Sequence, residues 1–286
     1  MQIGIVGLPY TGKTTVFNAL TGLSAPTGQY IEGQGEVHRG VVHIPDERLD
    51  RLAEIYQSKK KSAAKIEFFD VAGLKKGAGA DAGLSDYLLG HLRDMDALAI
   101  VIRVFERESV PHPEGRINPC KDLDTLLAEL ALADLAVTEK RLRKIDERLH
   151  KGAQEERDKH LQEKHLLERI VQGLSEGTPV RALEFHSEES ELLRGFGLLT
   201  RKPPLIVANV GDFTHELEQQ QVRELGEHCE RLGLRWLSLN GDLECELRRI
   251  EDPAEQQEFM EAMGITEHAT GPVIRAAYAA TRSITF

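Results

Sequence analysis

The feature that most constrains the fold of this chain is a glycine-containing segment close to its first residue. It reads Gly7, Leu8, Pro9, Tyr10, Thr11, Gly12, Lys13 and Thr14, which fits the pattern GxxxxGK[ST]. The apolar residues 3–6 before it predict a buried strand, and residues 13–20 predict a helix. Strand, loop and helix in this order form a phosphate-binding loop (P-loop), so we prefer that interpretation to an ordinary glycine turn.

The P-loop predicts a site for the phosphates of a nucleotide together with Mg²⁺. Backbone N–H groups from Gly7 to Thr15 are expected to surround the phosphates at the positive end of the helix. Lys13 is expected to contact the β and γ phosphates and to stabilise charge during catalysis. Thr14 is expected to offer its hydroxyl group to the metal ion.

A second motif, Asp70-Val-Ala-Gly73, follows an apolar run at residues 66–69. Asp70 is a predicted metal-site residue, because an acidic residue at the carboxyl end of a strand holds Mg²⁺ through water in sites of this kind. Gly73 is expected to donate its N–H to the γ phosphate and so to take part in catalysis. Leu74 stands where many G proteins carry a glutamine that orients the attacking water, and leucine has no polar atom for that task.

A third motif, at residues 209–212, ends another predicted strand and is a candidate for contact with the base. The carboxylate of Asp212 can accept from N1–H and N2–H of guanine, a pair of donors that adenine lacks. Asn209 can bond to either base or brace the P-loop, and an Asx turn is the alternative for the segment. The predicted nucleotide contacts on this side of the site are Asn209, Val210, Asp212, Asn240 and Gly241.

The order of the predicted elements indicates an α/β fold, a mostly parallel sheet flanked by helices. A near-continuous apolar run such as residues 97–104 is typical of a strand that is covered on both faces. Residues 122–173 contain no proline, and their apolar residues recur three and four positions apart, as in a coiled coil. We therefore predict a P-loop domain at residues 1–119 and 201–286, interrupted by a helical coiled-coil arm at residues 120–200.

Composition narrows the partners and the location. The formal charge of −11 repels bare nucleic acid except at local basic stretches, so no DNA partner is predicted. The three cysteines lack the spacing of metal ligands. No apolar run approaches the ~20 residues of a membrane span, so we predict a cytoplasmic protein with no membrane partner.

These motifs, together with further segments, resemble the YchF, or Obg-like ATPase, family over essentially the whole chain. The segments that carry the resemblance are residues 7–14, 44–50, 70–80, 132–135, 139–142 and 274–278. The resemblance implies a Ras-like G domain with an inserted coiled-coil arm, hydrolysis of a purine nucleotide, and the ribosome as a partner. It also identifies Leu74 as the family's hydrophobic replacement of the catalytic glutamine.

The resemblance implies roles for three further residues. A family histidine proposed to assist hydrolysis maps onto His112, for which an inert loop histidine is the alternative. The threonine that reaches the metal ion from the first switch region, residues 24–40, has its nearest counterpart in Thr27. Tyr10 replaces an asparagine that is linked to monovalent-cation use in related G proteins, which argues against stimulation by potassium.

Two departures from the family concern the base and the domain content. Many members hydrolyse ATP and carry Asn-x-x-Glu where this chain has Asn209 and Asp212. The resemblance therefore favours ATP and the aspartate favours GTP, so the base preference stays open. The family continues into a small β-rich TGS domain, whereas this sequence stops at Phe286, so we expect that domain to be absent from it, either by truncation or because this member lost it.

Taken together, the residues predict a P-loop nucleoside triphosphatase that binds ATP or GTP with Mg²⁺ and hydrolyses it slowly as a switch linked to the ribosome. One alternative is a nucleotide-gated binding module with negligible hydrolysis, since Leu74 and Tyr10 replace groups that accelerate hydrolysis elsewhere. A small-molecule kinase is a weaker alternative, because no arginine-rich lid is evident.

Overall fold

The computed structural model divides the chain into two compact units. It describes residues 1–27, 37–44, 46–58, 61–71, 85–107, 110, 112, 115–149, 154–211 and 216–281. The first unit comprises Met1–Gly77, Met95–Leu123 and Pro204–Phe286, and the second comprises Ala78–Asp94 and Asp124–Pro203. The domain bounds at residues 120 and 200 stay a prediction.

A six-stranded sheet forms the centre of the first unit. Its strands are β1 (Gln2–Val6), β2 (Val37–His43), β3 (Lys65–Val71), β4 (Ala97–Arg103), β5 (Pro204–Asn209) and β6 (Arg235–Leu239). They lie in the order β2-β3-β1-β4-β5-β6, and β2 alone among them runs antiparallel to its neighbour. The predicted α/β fold with a mostly parallel sheet is confirmed.

Ten α-helices lie in the part of the chain that the structure describes. They are α1 (Lys13–Thr21), α2 (Glu47–Ile55), α3 (Asp86–Arg93), α4 (Pro119–Leu149), α5 (Gln154–Ser175), α6 (Ser187–Arg194), α7 (Glu216–Arg231), α8 (Gly241–Leu247), α9 (Pro253–Ala262) and α10 (Thr270–Thr281). None of these described helices combines the length and the hydrophobicity needed to cross a membrane.

The central strands are buried because helices cover the sheet. Every residue of β4 and of β5 is buried, as the continuous apolar runs predicted. Ile5 of β1 and Phe17 of α1 belong to the core on the face that α1 and α10 cover. This packing holds α1 against the sheet. The loop between β1 and α1 is therefore anchored at both ends by elements of the core.

Helix α1 ends where the sequence indicates. Gly22 adopts a left-handed conformation with φ of 71°, and its N–H donates to the Asn18 carbonyl oxygen. Gly40 of β2 faces this helix, and a Cβ atom there would overlap the side chain of Thr21. The missing side chain lets α1 pack closely against β2.

The second unit has its own hydrophobic core around the long helices α4 and α5. Ile145 of α4 and Ile170 of α5 belong to this core and are fully buried. The predicted apolar seam of α4 is confirmed, since Leu135 and Leu142 pack against the same cluster. Residues 150–153, between the two helices, lie outside the described residues.

Candidate nucleotide-binding site

The P-loop lies between β1 and α1, and two of its glycines are required by close packing. Gly7 is buried, and a Cβ atom on it would collide with the carbonyl oxygen of Val101 in β4. Gly12 has a φ of 84°, and a Cβ atom there would overlap the side-chain amide of Asn209. Local backbone conformation and a neighbouring strand therefore both demand glycine in this motif.

The remaining loop residues divide into buried and exposed positions. Thr11 is buried, and its hydroxyl group donates to the Leu8 carbonyl oxygen at 3.1 Å. Pro9 and Tyr10 are exposed at the outer turn of the loop. Tyr10 has a φ of 64°, a left-handed conformation that side chains other than glycine rarely adopt.

Lys13 is folded back onto the P-loop. Its ammonium group donates to the Leu8 carbonyl oxygen at 2.9 Å. Burial of the ammonium group lowers its pKa to about 8, and the negative charge of Asp70 opposes that shift. Burial therefore deprives the charged ammonium group of part of its hydration. The negative charge of bound phosphate groups would offset that loss.

Thr14 and Asp70 form the metal side of the candidate site. The Thr14 hydroxyl donates to Asp70 Oδ2 at 2.7 Å, and Asp70 is fully buried at the end of β3. Asp70 Oδ1 is also buried, and it has no hydrogen-bond partner among the described residues. A hydroxyl and a carboxylate with a free oxygen are hard oxygen donors that fit Mg²⁺.

Asn209, at the end of β5, braces the P-loop. Its side-chain amide donates to the Thr11 carbonyl oxygen at 3.0 Å and accepts from the Gly241 N–H at 3.2 Å. The residue is 4% exposed. Of the two roles that the sequence left open for Asn209, these contacts are those of a brace.

The backbone after β5 is held on both sides. Val210 donates its N–H to the Leu239 carbonyl oxygen at 3.0 Å. Gly211 accepts from the Asn240 side chain at 2.7 Å, and its N–H donates to the carboxylate of Glu218. These bonds fix the backbone of Val210 and Gly211, which belong to the predicted base-contacting segment.

Glu218 is a residue of this site that sequence reasoning missed. It lies in the first turn of α7 and is buried, although glutamate is rarely buried without a partner. An acidic residue in the first turn of a helix is common, so the sequence offered no signal that distinguished this one.

His112 lies in the segment after β4, and its side chain is buried beside Asp122 of α4. Its Nε2 lies 3.0 Å from Asp122 Oδ2, and both side chains are at most 5% exposed. The neighbouring Arg103 donates to the Phe105 and Val110 carbonyl oxygens, which orders the start of this segment. These contacts hold the His112 side chain in place. They do not test its role in hydrolysis, which stays a prediction.

Several predicted site residues lie outside this geometry. Gly73, Leu74 and Asp212 are outside the described residues. Thr27 is exposed in the segment that follows α1. Thr15 lies within α1, where its carbonyl oxygen accepts from the Cys245 thiol at 3.5 Å.

The sheet order, the P-loop between β1 and α1, and the acidic residue at the end of β3 define a P-loop NTPase of the G-protein class. A family model described as "50S ribosome-binding GTPase" matches residues 2–157. Relatives named ribosome-binding ATPase YchF are 32 and 35% identical to it over 97% of this chain, so the chain belongs to the YchF (Obg-like ATPase) family of these proteins.

The relatives match over nearly the whole chain. Ribosome-binding ATPase YchF of Pasteurella multocida is 35% identical over 279 residues, which are 97% of this chain and 75% of the relative. The protein of that name from Bacillus subtilis is 32% identical over 280 residues, with the same two coverages. The solved structure of the Schizosaccharomyces pombe YchF GTPase matches with a TM-score of 0.79 at 27% identity, covering 98% of this chain and 75% of that one.

Proposed function

We propose that this chain binds ATP or GTP with Mg²⁺ and hydrolyses it slowly, as a molecular switch that works with the ribosome in the cytoplasm. The observation that carries the proposal is the contact of the Thr14 hydroxyl with the Asp70 carboxylate at 2.7 Å, beside Lys13 held in the P-loop. Lys13 thereby supplies a cation for the phosphates, and Thr14 and Asp70 supply oxygen donors for a metal ion beside it.

In this proposal the P-loop backbone and Lys13 bind the phosphates, and Thr14 and Asp70 hold Mg²⁺. Thr27 is proposed as a further metal ligand. The bound ion neutralises negative charge on the triphosphate. Asp212 is proposed to face the base, and the residue before it, Gly211, is held by bonds to Glu218 and Asn240.

Slow hydrolysis is proposed because the chain has Leu74 where an attacking water is otherwise oriented by glutamine. Gly73 is proposed to contact the γ phosphate. His112 is proposed to assist hydrolysis, with its Nε2 paired to the Asp122 carboxylate. Catalysis is then mostly electrostatic and rests on Lys13.

The ribosome is proposed as the partner because the matched relatives are named ribosome-binding ATPases. Basic residues of α4 supply candidate contacts. Arg141 is bound to Glu163 through two bonds of 2.6 and 2.9 Å, whereas Arg143 and Lys144 are exposed. The last two are therefore the better candidates for contact with phosphate groups of RNA.

The first test is a titration with slowly hydrolysed ATP and GTP analogues, with and without Mg²⁺, on the wild type and on Asp212→Glu. If the wild type prefers the guanine analogue and this preference is smaller in the variant, base recognition is assigned to Asp212. Tighter binding of the adenine analogue in both proteins would assign ATP as the nucleotide. Failure of the wild type to bind either analogue would contradict the proposed function.

Turnover separates the switch from a binding module with negligible hydrolysis. Bound ATP or GTP is expected to be hydrolysed within hours with Mg²⁺, and to survive in Lys13→Ala wherever it still binds. A triphosphate that survives equally long on the wild type would favour the binding module.

Co-sedimentation with ribosomes tests the partner. The double variant Arg143→Glu and Lys144→Glu is expected to reduce the bound fraction, more strongly at low than at high salt. The matched control, Arg231→Glu with Arg235→Glu, changes two exposed residues of the first unit. Equal binding of both double variants and the wild type would remove α4 from the proposed contact.

A further inference from the structure

His38, on strand β2, lies opposite the metal-side carboxylate. The antiparallel register pairs His38 with Asp70, and Val37 with Val71. Residues directly opposite one another in an antiparallel pair project from the same face of the sheet, about 5 Å apart at Cβ. The imidazole of His38 and the carboxylate of Asp70 are therefore neighbours on one face.

Contacts along β2 identify that face as the one that α1 covers. The rings of His38 and Phe17 have centroids 6.3 Å apart. Gly40, two residues further along β2, lies against Thr21 of the same helix. Arg39 projects from the opposite face, where it bonds to Glu67 at 2.7 Å. His38 thus points toward the helix that begins at the P-loop.

Two buried side-chain atoms without a hydrogen-bond partner in the described part of the chain are His38 Nε2 and Asp70 Oδ1. Buried polar groups without a partner are rare, because each loses its hydration for no return. Here both lie on neighbouring residues of one face, beside the Thr14 hydroxyl that binds the other oxygen of Asp70. A buried water needs two or more polar partners, and this pair supplies them.

We propose that His38 is a positioning residue for the metal-side carboxylate, and that one water molecule bridges His38 Nε2 and Asp70 Oδ1. An ionised carboxylate has about four acceptor sites on its two oxygens, so Oδ1 can accept from the water and still offer a lone pair toward the metal ion. The water fixes the rotation of the carboxylate, so that Asp70 presents its oxygens to Thr14 and to the metal ion in one orientation. His38 acts on the metal through Asp70 and touches no phosphate. The inference rests on the proposed function in that Mg²⁺ accompanies the nucleotide.

The test is the Mg²⁺ dependence of analogue binding. His38→Phe keeps an aromatic ring beside Phe17 and removes the nitrogen. The Mg²⁺ concentration for half-maximal gain in affinity for a fluorescent, slowly hydrolysed analogue is expected to rise about tenfold or more, as for other outer-shell substitutions. Affinity measured in EDTA is expected to stay within about twofold of the wild type.

Three companion variants make the result specific. His38→Gln places an amide near the position of Nε2 and is expected to restore much of the Mg²⁺ response. His43→Phe makes the same change at an exposed position of the same strand and is expected to match the wild type. His38→Leu replaces His38→Phe if the latter does not fold by circular dichroism.

Two outcomes would overturn the inference. One is a Mg²⁺ midpoint in His38→Phe within twofold of the wild type. The other is an equal loss of affinity with and without Mg²⁺, which indicates a general disturbance of the P-loop. If the wild type binds no nucleotide, the proposed function fails separately. The bridge is then decided by a high-resolution crystal structure of the nucleotide-free protein, where no water within hydrogen-bond distance of both atoms would refute it.

Discussion

At the scale of single residues, Asn209 connects three separate parts of the chain. It ends β5, and its one side chain bonds to the P-loop at Thr11 and to the first residue of α8, Gly241. Both partners are backbone groups, so each would be left unsatisfied in a buried place without the amide. Such a residue affects the phosphate side of the candidate site although it ends the strand that leads to the predicted base-contacting segment.

Because Asn209 braces the P-loop, we predict that Asn209→Ala lowers stability and weakens the binding of ATP and GTP analogues equally. We expect a loss of about 2–3 kcal/mol in the free energy of unfolding, because two buried backbone groups lose their partner. Affinity for ATP and GTP analogues is expected to fall by the same factor, leaving their ratio unchanged, as measured by titration. The control Asn118→Ala removes a side-chain bond to the exposed Lys121 N–H and should leave both affinities unchanged. A changed ratio in Asn209→Ala would show that the side chain reads the base.

The lowered pKa of Lys13, about 8, predicts how binding depends on pH. Phosphate groups favour the charged ammonium, so binding takes up a proton wherever the free protein has lost it. Affinity for a triphosphate analogue is therefore expected to fall as the pH rises above about 8, by up to about tenfold per pH unit. Titrations between about pH 7.5 and 9.5 measure this.

The matched control is Lys13→Arg, since a guanidinium stays protonated throughout this range. Its affinity is expected to be weaker than that of the wild type and independent of pH. The assignment fails if the wild type shows the same flat profile.

At the scale of elements, α4 is held in the second unit by a buried carboxylate. Asp134 is fully buried and accepts from the N–H groups of Leu199 and Thr200 at 2.9 and 2.7 Å. The Thr200 hydroxyl and the Arg93 guanidinium supply two further contacts, at 2.8 and 3.4 Å. A carboxylate with this many donors is satisfied in a dry interior, and its neighbours depend on it.

Asp134→Ala is therefore expected to destabilise the second unit by about 3–5 kcal/mol, because it strands two buried N–H groups and unpairs a cation. Thermal unfolding and hydrogen exchange at the Leu199 and Thr200 amides measure the effect. Asp146→Ala, in the same helix, breaks the exposed pair with Lys164 and is expected to cost at most about 1 kcal/mol. Similar losses in the two variants would mean that burial of Asp134 contributes nothing.

At the scale of the whole molecule, the candidate nucleotide site is built from elements of the first unit. β1, α1, β3 and β5 all supply residues to it, and all belong to that unit. A ligand that binds only the folded state stabilises what it contacts by about 2.7 kcal/mol at a hundred times its dissociation constant. Binding is thus expected to show first as protection of these elements.

Hydrogen exchange with Mg²⁺ and a slowly hydrolysed analogue tests this expectation. Amides of β1, α1 and β3 are expected to exchange more slowly, and those of α5 in the second unit to change least. Lys13→Ala should remove the protection at the same nucleotide concentration. Protection confined to α5 would place the ligand elsewhere and contradict the assigned site.

The fold was predictable from sequence where the signal is local. The apolar run of β4, the glycine after α1 and the seam of α4 each reflect periodicity or backbone conformation within a few residues. The position of Asp70 near the end of a strand was likewise predictable, because its motif follows an apolar run. Its role as a metal ligand stays a prediction.

Contacts between distant residues were beyond the sequence. The side chain of Asn209 was left with two roles, and its partners lie 198 and 32 residues away. Glu218 and His38 were not singled out, since a helix-start glutamate and a strand histidine are ordinary in isolation. The sequence by itself determined the P-loop, its strand and helix, and the class of ligand, because these follow from chain-local chemistry. Only the tertiary structure decided that Asn209 braces the P-loop and that His38 lies opposite Asp70. Strand order and register bring these residues together from distant parts of the chain.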